Sequence, residues 1–330
     1  MTEKIFVSIA SYRDDECSVT LQSLFENAKY WDRCYVGICQ QNNKTDNDCL
    51  ININTDNIYK KNIRIIRISY KEAKGPTYAR FLCSSLWDGE DYYFQIDSHT
   101  TFTTDWDEKL INMIKEIKER KLSLKPVISH YPISKNNIYK NEKKVPHIKT
   151  AEYLPDIGIL KLSAAIYTDT NNDYLKSCYM SAGMFFCESS FLNEIPFDPN
   201  LDYLFMGEEI LTSVRFYTYG WDIFTPKENI IYHEYTRENK PKYHNDNKDK
   251  FDDKKAIEKV KLLLNKYNDS EDKYNDYGLG KIRSLDEFYK NCEIIEKFTN
   301  SNNNKINIYL ILMVLILMSI SLFIMISKNK

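Results

Sequence analysis

The sequence predicts an α/β fold on a mostly parallel sheet, followed by a C-terminal transmembrane helix. Through the first hundred residues, short apolar strand-like runs alternate with stretches of helical periodicity. Several of those runs end in polar residues, and the carboxyl ends of strands are where such sheets hold ligands. At the other end of the chain, Ile308 to Ile326 holds no charged residue and is nearly all Leu, Ile, Met, Val and Phe. About 20 such residues, at 1.5 Å rise, span a bilayer core of roughly 30 Å.

The strand runs come first. Lys4 to Ala10 reads as a buried strand closed by the polar turn Ser11-Tyr12-Arg13-Asp14-Asp15. Cys17, Leu21, Leu24, Phe25 and Ala28 recur at helical spacing after it. Cys34 to Cys39 and Ile63 to Ile68 are the second and third strands, the former ending in the polar loop Gln40 to Asp48. Gly75-Pro76 opens a helix over Ala79 to Leu86, since proline suits a first helical turn. Tyr92-Tyr93-Phe94-Gln95-Ile96-Asp97-Ser98-His99 is the fourth strand, ending in an acid, a small residue and a histidine.

Trp106 to Lys121 is amphipathic, with Leu110, Met113, Ile114 and Ile117 on one face. Residues 134 to 176 alternate strand-like pieces with polar loops and have no clear order. Gly183 interrupts the apolar run Tyr179 to Phe186, which marks a bulge or a close backbone approach. Ile210 to Tyr219 is a helix whose acidic start, Glu208-Glu209, complements the macrodipole. Gly220 to Phe224 and Ile230 to Tyr235 are further strands. Residues 238 to 256, rich in Lys, Asp and Asn, read as a solvated, mobile segment. Ala256 to Tyr267 and Ser284 to Phe298 read as helices. The division expected is a domain over 1–299, a linker over 300–307 and an anchor over 308–327.

Composition excludes some classes of function. A formal net charge of -2 over 330 residues provides no electrostatic footprint for nucleic acid. The eight cysteines are scattered without a CxxC pair, which argues against a zinc ribbon or a thioredoxin-like motif; their spacing leaves disulfides open and fits a reducing compartment at least as well. At the N-terminus, the apolar run Ile5 to Ala10 is too short for the core of a signal peptide. Lysines flank the apolar span on both sides (Lys305, Lys328 and Lys330), so charge does not orient it. A late anchor without a signal implies insertion after synthesis, with the large N-terminal part left in the cytosol.

Residues two apart in extended chain point to one side, so Asp97 and His99 can face a single ion. A carboxylate with an imidazole suits Mn²⁺, and Mg²⁺ less well. His233, after another strand, is the third candidate ligand; His130, His147 and His244 rank below it because they sit in loops or in the charged segment. Without a partner from elsewhere in the fold, the same triplet reads as a strand and a polar turn. Glu208 or Glu209 would hold sugar hydroxyls or position an acceptor. Arg13 and Arg80 carry guanidinium forks that match phosphate oxygens.

Five motifs occur in order: Ser8-Ile9-Ala10-Ser11-Tyr12-Arg13-Asp14, Gly75-Pro76-Thr77-Tyr78-Ala79-Arg80, Gln95-Ile96-Asp97-Ser98-His99, Ser181-Ala182-Gly183-Met184-Phe185 and Gly207-Glu208-Glu209. Over residues 4 to 295 this pattern resembles the Skp1-protein hydroxyproline N-acetylglucosaminyltransferase family, distantly similar to the polypeptide N-acetylgalactosaminyltransferases. The resemblance implies a GT-A fold, a Rossmann-like nucleotide-diphospho-sugar transferase, using a UDP-sugar donor and Mn²⁺ (or Mg²⁺). It places the metal on Asp97, His99 and His233. It turns Ser11, Tyr12, Arg13 and Asp14 toward uracil and ribose, with Gly75 and Arg80 near the nucleotide, and brings Gly183 and Glu208 to the donor sugar.

The activity implied is transfer of a sugar, GlcNAc by preference, to a hydroxyl on a protein or glycan, with retention at the anomeric carbon. The Skp1-modifying members are soluble cytoplasmic enzymes, whereas this chain carries an apolar span, so the acceptor stays open. Two readings from other classes compete. One is a metal-dependent hydrolase on the same three ligands, for which no HExxH spacing is present. The other is an inactive membrane-tethered module that keeps the fold.

Overall fold

The computed structural model describes residues 3–53, 57–140, 144–236, 238–248, 252–265 and 276–294. Residues 1–288 form one compact unit, which carries everything discussed below. Residues 289–330 form a second, described only as far as 294. The expected span over 308–327 lies outside the described residues, as does the end of the expected helix beyond 294. Among the described residues no helix is long and apolar enough to cross a membrane.

In chain order the strands are β1 (Ile5–Tyr12), β2 (Cys34–Asn42), β3 (Ile63–Ser69), β4 (Tyr92–Asp97), β5 (Thr100–Phe102), β6 (Pro126–Ser129), β7 (Ile133–Ser134) and β8 (Lys144–His147). They continue as β9 (Ala151–Leu154), β10 (Ile159–Leu162), β11 (Ile166–Asp169), β12 (Leu175–Ser177), β13 (Met184–Glu188), β14 (Asp222–Thr225) and β15 (Ile231–His233). The helices are α1 (Cys17–Glu26), α2 (Pro76–Ser84), α3 (Trp106–Glu119), α4 (Phe191–Glu194), α5 (Glu208–Thr218), α6 (Tyr243–Asp246), α7 (Lys254–Leu263) and α8 (Leu285–Asn291).

The main sheet has eight strands in the order β12-β14-β6-β13-β4-β1-β2-β3. Its N-terminal half is parallel, as expected, with β1 between β2 and β4. The other half is mixed, because β13 enters antiparallel between β4 and β6 and β12 runs antiparallel to β14. Both faces are covered, which is why β1 reads as a continuous apolar run instead of an alternating one. Its Ile5, Val7 and Ile9 pack with Leu21, Leu24, Trp106 and Ile114 of α1 and α3. Phe6 faces the other way, with Tyr93, Phe185, Phe216 and Trp221. Each side chain buried this completely contributes about 1.5–3 kcal/mol. Gly37 lets the sheet accept Phe6: a Cβ there would stand 2.2 Å from the ring.

Three expectations change. Residues 134 to 176, without order in the sequence reading, form two small antiparallel ladders, β8 with β11 and β9 with β10. The polar segment after residue 238 is not simply solvated. It contains α6, where Tyr243 packs edge-on to Tyr12 with ring centroids 5.4 Å apart, and Asn247 is 5% exposed. Its average composition concealed the few side chains that find partners. The thiols are not all free either. Cys17 at the start of α1 is joined to Cys49 in the loop after β2 by a disulfide, since these two segments meet with Cα atoms 5.0 Å apart.

Candidate active site

The register of the parallel strands lines up their carboxyl ends. Tyr12 pairs with Gln41, and Ala10 pairs with Asp97. The turn Ser11 to Asp14 and the turn Asp97 to His99 therefore lie side by side. β4 ends at Asp97, so strand alternation alone does not orient His99. The following turn is pinned by α1. The Thr20 hydroxyl donates to Ser98 O at 2.8 Å and accepts from Thr100 N–H at 2.9 Å, while Thr100 Oγ1 donates back to Asp97 O at 2.8 Å.

The same turn recruits the end of β15. Thr100 pairs with His233, and Glu234 N–H donates to His99 O at 3.0 Å. Asp97, His99 and His233 then offer ligand atoms that all lie within 4.8 Å of one another. His233 Nε2 is 3.1 Å from Asp97 Oδ2, and the two imidazole rings stand 4.5 Å apart, nearly perpendicular. One carboxylate and two imidazoles converging on a point fit a divalent transition metal, Mn²⁺ among them. The set fits on a second count: His99 Nδ1 is turned outward, 2.7 Å from Asp14 Oδ2.

Arg80 lies beneath these ligands. Gly75, at φ +91, makes the turn that an L side chain resists, and Pro76 opens α2, which carries Arg80 inward. Its side chain is 7% exposed, with Nη1 on Glu208 and Nη2 3.2 Å from Asp97 Oδ1. Burial works against the guanidinium charge, but Glu208 and Asp97 outweigh it and hold its pKa above the ordinary arginine value. For Asp97, too, burial opposes ionisation. The hydrogen bond with His233 and the charge of Arg80 nevertheless keep its carboxyl well below the usual range. Asp97 is deep, yet 29% of its side chain stays open to the cavity in front of it.

Glu208 and Glu209 differ in their engagements. Burial raises the pKa of both, offset at Glu208 by Arg80. Glu209 accepts from Ala182 N–H at 2.9 Å and from the Tyr131 hydroxyl at 2.6 Å, so it holds the segment before Gly183. Gly183 in turn lies against the candidate ligand set: a Cβ there would be 2.8 Å from Asp97 Oδ2.

These groups open onto a cavity of about 450 Å³, large enough for a small ligand. Arg80, Asp97, His99, Gly183, Glu208, Glu209 and His233 all line it, and Leu160, Leu162, Phe205, Met206 and Ile210 contribute apolar lining. The four residues of the Ser11 to Asp14 turn and Gly75 do not line it. Ser11 is fully buried, and Gln41 donates to its carbonyl. Tyr12 donates its hydroxyl to Asp246. Arg13 is gripped by two carboxylates, Asp46 at 2.8 Å and Asp246 at 2.9 Å. Asp14 sits behind His99.

The lower-ranked histidines lie elsewhere. His130 is buried, His147 bonds Thr225 Oγ1 at 2.8 Å, and His244 packs on Phe205. Sequence reasoning passed over Tyr131 and Tyr235. Tyr235 lines the cavity with its ring centroid 4.2 Å from that of His233, and its position two residues beyond a ligand on an extended chain was the available signal.

A family model described as Glycosyltransferase (GlcNAc) matches the chain over residues 4–57 and 51–298. No curated protein matches it. Among solved structures, one of GalNAc-T7 with UDP, GalNAc and Mn²⁺ is similar at a TM-score of 0.56 and 14% identity, over 88% of this chain and 54% of that one. The chain thus spans about half the length of that protein, and at this identity the likeness establishes the GT-A-like α/β fold alone. Two structures of S. aureus TarS 1-349 align at a TM-score of 0.44. One covers 70% of this chain and 60% of its own at 15% identity; the other, in complex with UDP-GlcNAc, covers 73% and 60% at 14%.

Proposed function

The chain belongs to the Glycosyltransferase (GlcNAc) family, and from that premise we propose that it transfers a sugar from a UDP-sugar to a hydroxyl with the help of a divalent metal. The observation that carries this reading is the convergence of Asp97, His99 and His233 within 4.8 Å, beside Arg80 and Glu208, at the carboxyl ends of the parallel strands β1 and β4. GlcNAc is the donor sugar we favour, because the family description names it. The acceptor is a hydroxyl on a protein or a glycan. Closer kinship with the Skp1-protein hydroxyproline transferases rests on the five ordered motifs and is part of this proposal.

Mn²⁺ bound by Asp97, His99 and His233 would supply Lewis acidity to a leaving diphosphate. The protein's own groups do the rest. Arg80 holds the Asp97 and Glu208 carboxyl groups in place, so that no ligand atom has to reorganise when the donor arrives. Glu209 fixes the Ala182–Gly183 backbone that flanks the ligands. Glu208, which lines the cavity and is bonded to Arg80, is the carboxylate positioned to meet a sugar hydroxyl. The apolar lining from Leu160, Leu162 and Phe205 keeps water from the donor.

Membrane attachment through 308–327 also belongs to the proposal. The Cys17–Cys49 disulfide suits an oxidising compartment and weighs against a cytosolic site.

The test is release of UDP by the full chain from UDP-GlcNAc, UDP-GalNAc and UDP-glucose with Mn²⁺, with and without EDTA. Release is expected, fastest from UDP-GlcNAc, stopped by EDTA and restored by excess Mn²⁺. Absence of turnover with every UDP-sugar, in the presence of protein and glycan acceptors, overturns the reading.

A further inference from the structure

We propose that Asp14 is a positioning residue of the metal centre, and not a contact to the nucleotide: it selects the tautomer of His99 that presents Nε2 to the ion. The inference rests on the metal reading above and goes beyond its three ligands.

The chain reaches this point through a single unusual residue. Arg13 has φ +47, a left-handed conformation rare for a non-glycine side chain, and its N–H donates to Gln41 O at 3.1 Å. The turn at the end of β1 therefore directs Asp14 sideways, toward the end of β4. Asp14 is 2% exposed there. Oδ2 lies 2.7 Å from His99 Nδ1 and 2.6 Å from Ser98 Oγ, and Oδ1 accepts from Glu16 N–H at 3.1 Å. Both oxygens are thus taken by neighbouring protein groups, and neither faces the cavity.

A carboxylate oxygen opposite an imidazole nitrogen favours the hydrogen on that nitrogen. With the proton on Nδ1, the lone pair is left on Nε2, the nitrogen that His99 can then offer beside Asp97 and His233. Carboxylate–histidine–metal arrangements fix the ring and make the ligand more basic, and losing the outer partner typically costs 10–100-fold in metal affinity. Ser98, between the two ligands in sequence, adds a second hold on the same Oδ2.

Two measurements test this. Without added metal, NMR of the full chain labelled with ¹⁵N-histidine is expected to show His99 as the Nδ1–H tautomer, identified by its loss in H99A. Dominance of the Nε2–H form overturns the proposal, whether or not D14N folds. In a second arm, Mn²⁺ binding is followed by the EPR signal of the free ion without nucleotide. D14N, with its circular dichroism matched to the parent, is expected to bind about 10–100-fold more weakly. Equal Mn²⁺ affinity in D14N and the parent overturns the role of Asp14 and leaves the metal reading intact. A parent chain that binds no Mn²⁺ overturns both.

Discussion

Gly183 stands so close to Asp97 that a Cβ on the glycine would lie 2.8 Å from Oδ2 of the carboxylate. That oxygen cannot swing aside cheaply. Oδ2 meets His233 Nε2 at 3.1 Å and Oδ1 meets Arg80 Nη2 at 3.2 Å, so a methyl group at 183 displaces the ligand itself. The G183A chain is expected to keep its unfolding midpoint while UDP release falls about 100-fold, the usual cost of misplacing a reacting arrangement by about 1 Å. Unchanged turnover in G183A would show that Asp97 moves freely and that the glycine is not required by the site.

How much of this site is legible in the sequence follows from how local each signal is. Tyr92 to Asp97 and Gly75-Pro76 announced themselves because strand pattern and proline position act over a few residues. His233 is indicated by strand context and by the family resemblance, since nothing local encodes a contact across 136 positions. The resemblance turns Asp14 toward the nucleotide as part of a motif, whereas its hydrogen bond to His99 follows a turn in which Arg13 takes a left-handed conformation. The Cys17–Cys49 disulfide likewise required knowing that the start of α1 meets the loop after β2. Tyr243 to Asp246 was lost in the average of a polar segment, though Asp246 reaches both Tyr12 and Arg13.

Arg80 is the charge on which the rest of the site depends. It is the buried cation shared by Glu208 and Asp97, and burial already raises the pKa of Glu208 despite it. Replacing it by methionine keeps the length of the stem but leaves two carboxylates facing each other with no counter-charge. Breaking a buried pair in this way costs about 3–5 kcal/mol. R80M is expected to lose that much in urea unfolding, and R80M/E208Q to recover part of it. A loss in R80M below about 1 kcal/mol, the range of surface pairs, would mean that solvent screens the cluster.

His130 sets a different dependence, on pH and away from the metal ligands. Its ring is fully buried, neither nitrogen has a hydrogen-bond partner among the described residues, and burial pushes its pKa down to about 3. The folded state therefore keeps the imidazole neutral, while the unfolded chain takes up a proton near pH 6.5. Above that value the two states bind equally and the full stability is present. As pH falls from about 6.5 toward 3, the unfolded state gains about 1.4 kcal/mol per pH unit from this one group. Urea unfolding at a series of pH values should show H130L losing stability less steeply than the parent below pH 6.5, by about that slope, with the two curves parallel above it. Parallel curves through the whole acid range would mean that His130 is protonated in the folded protein, with a counter-charge or water reaching its ring.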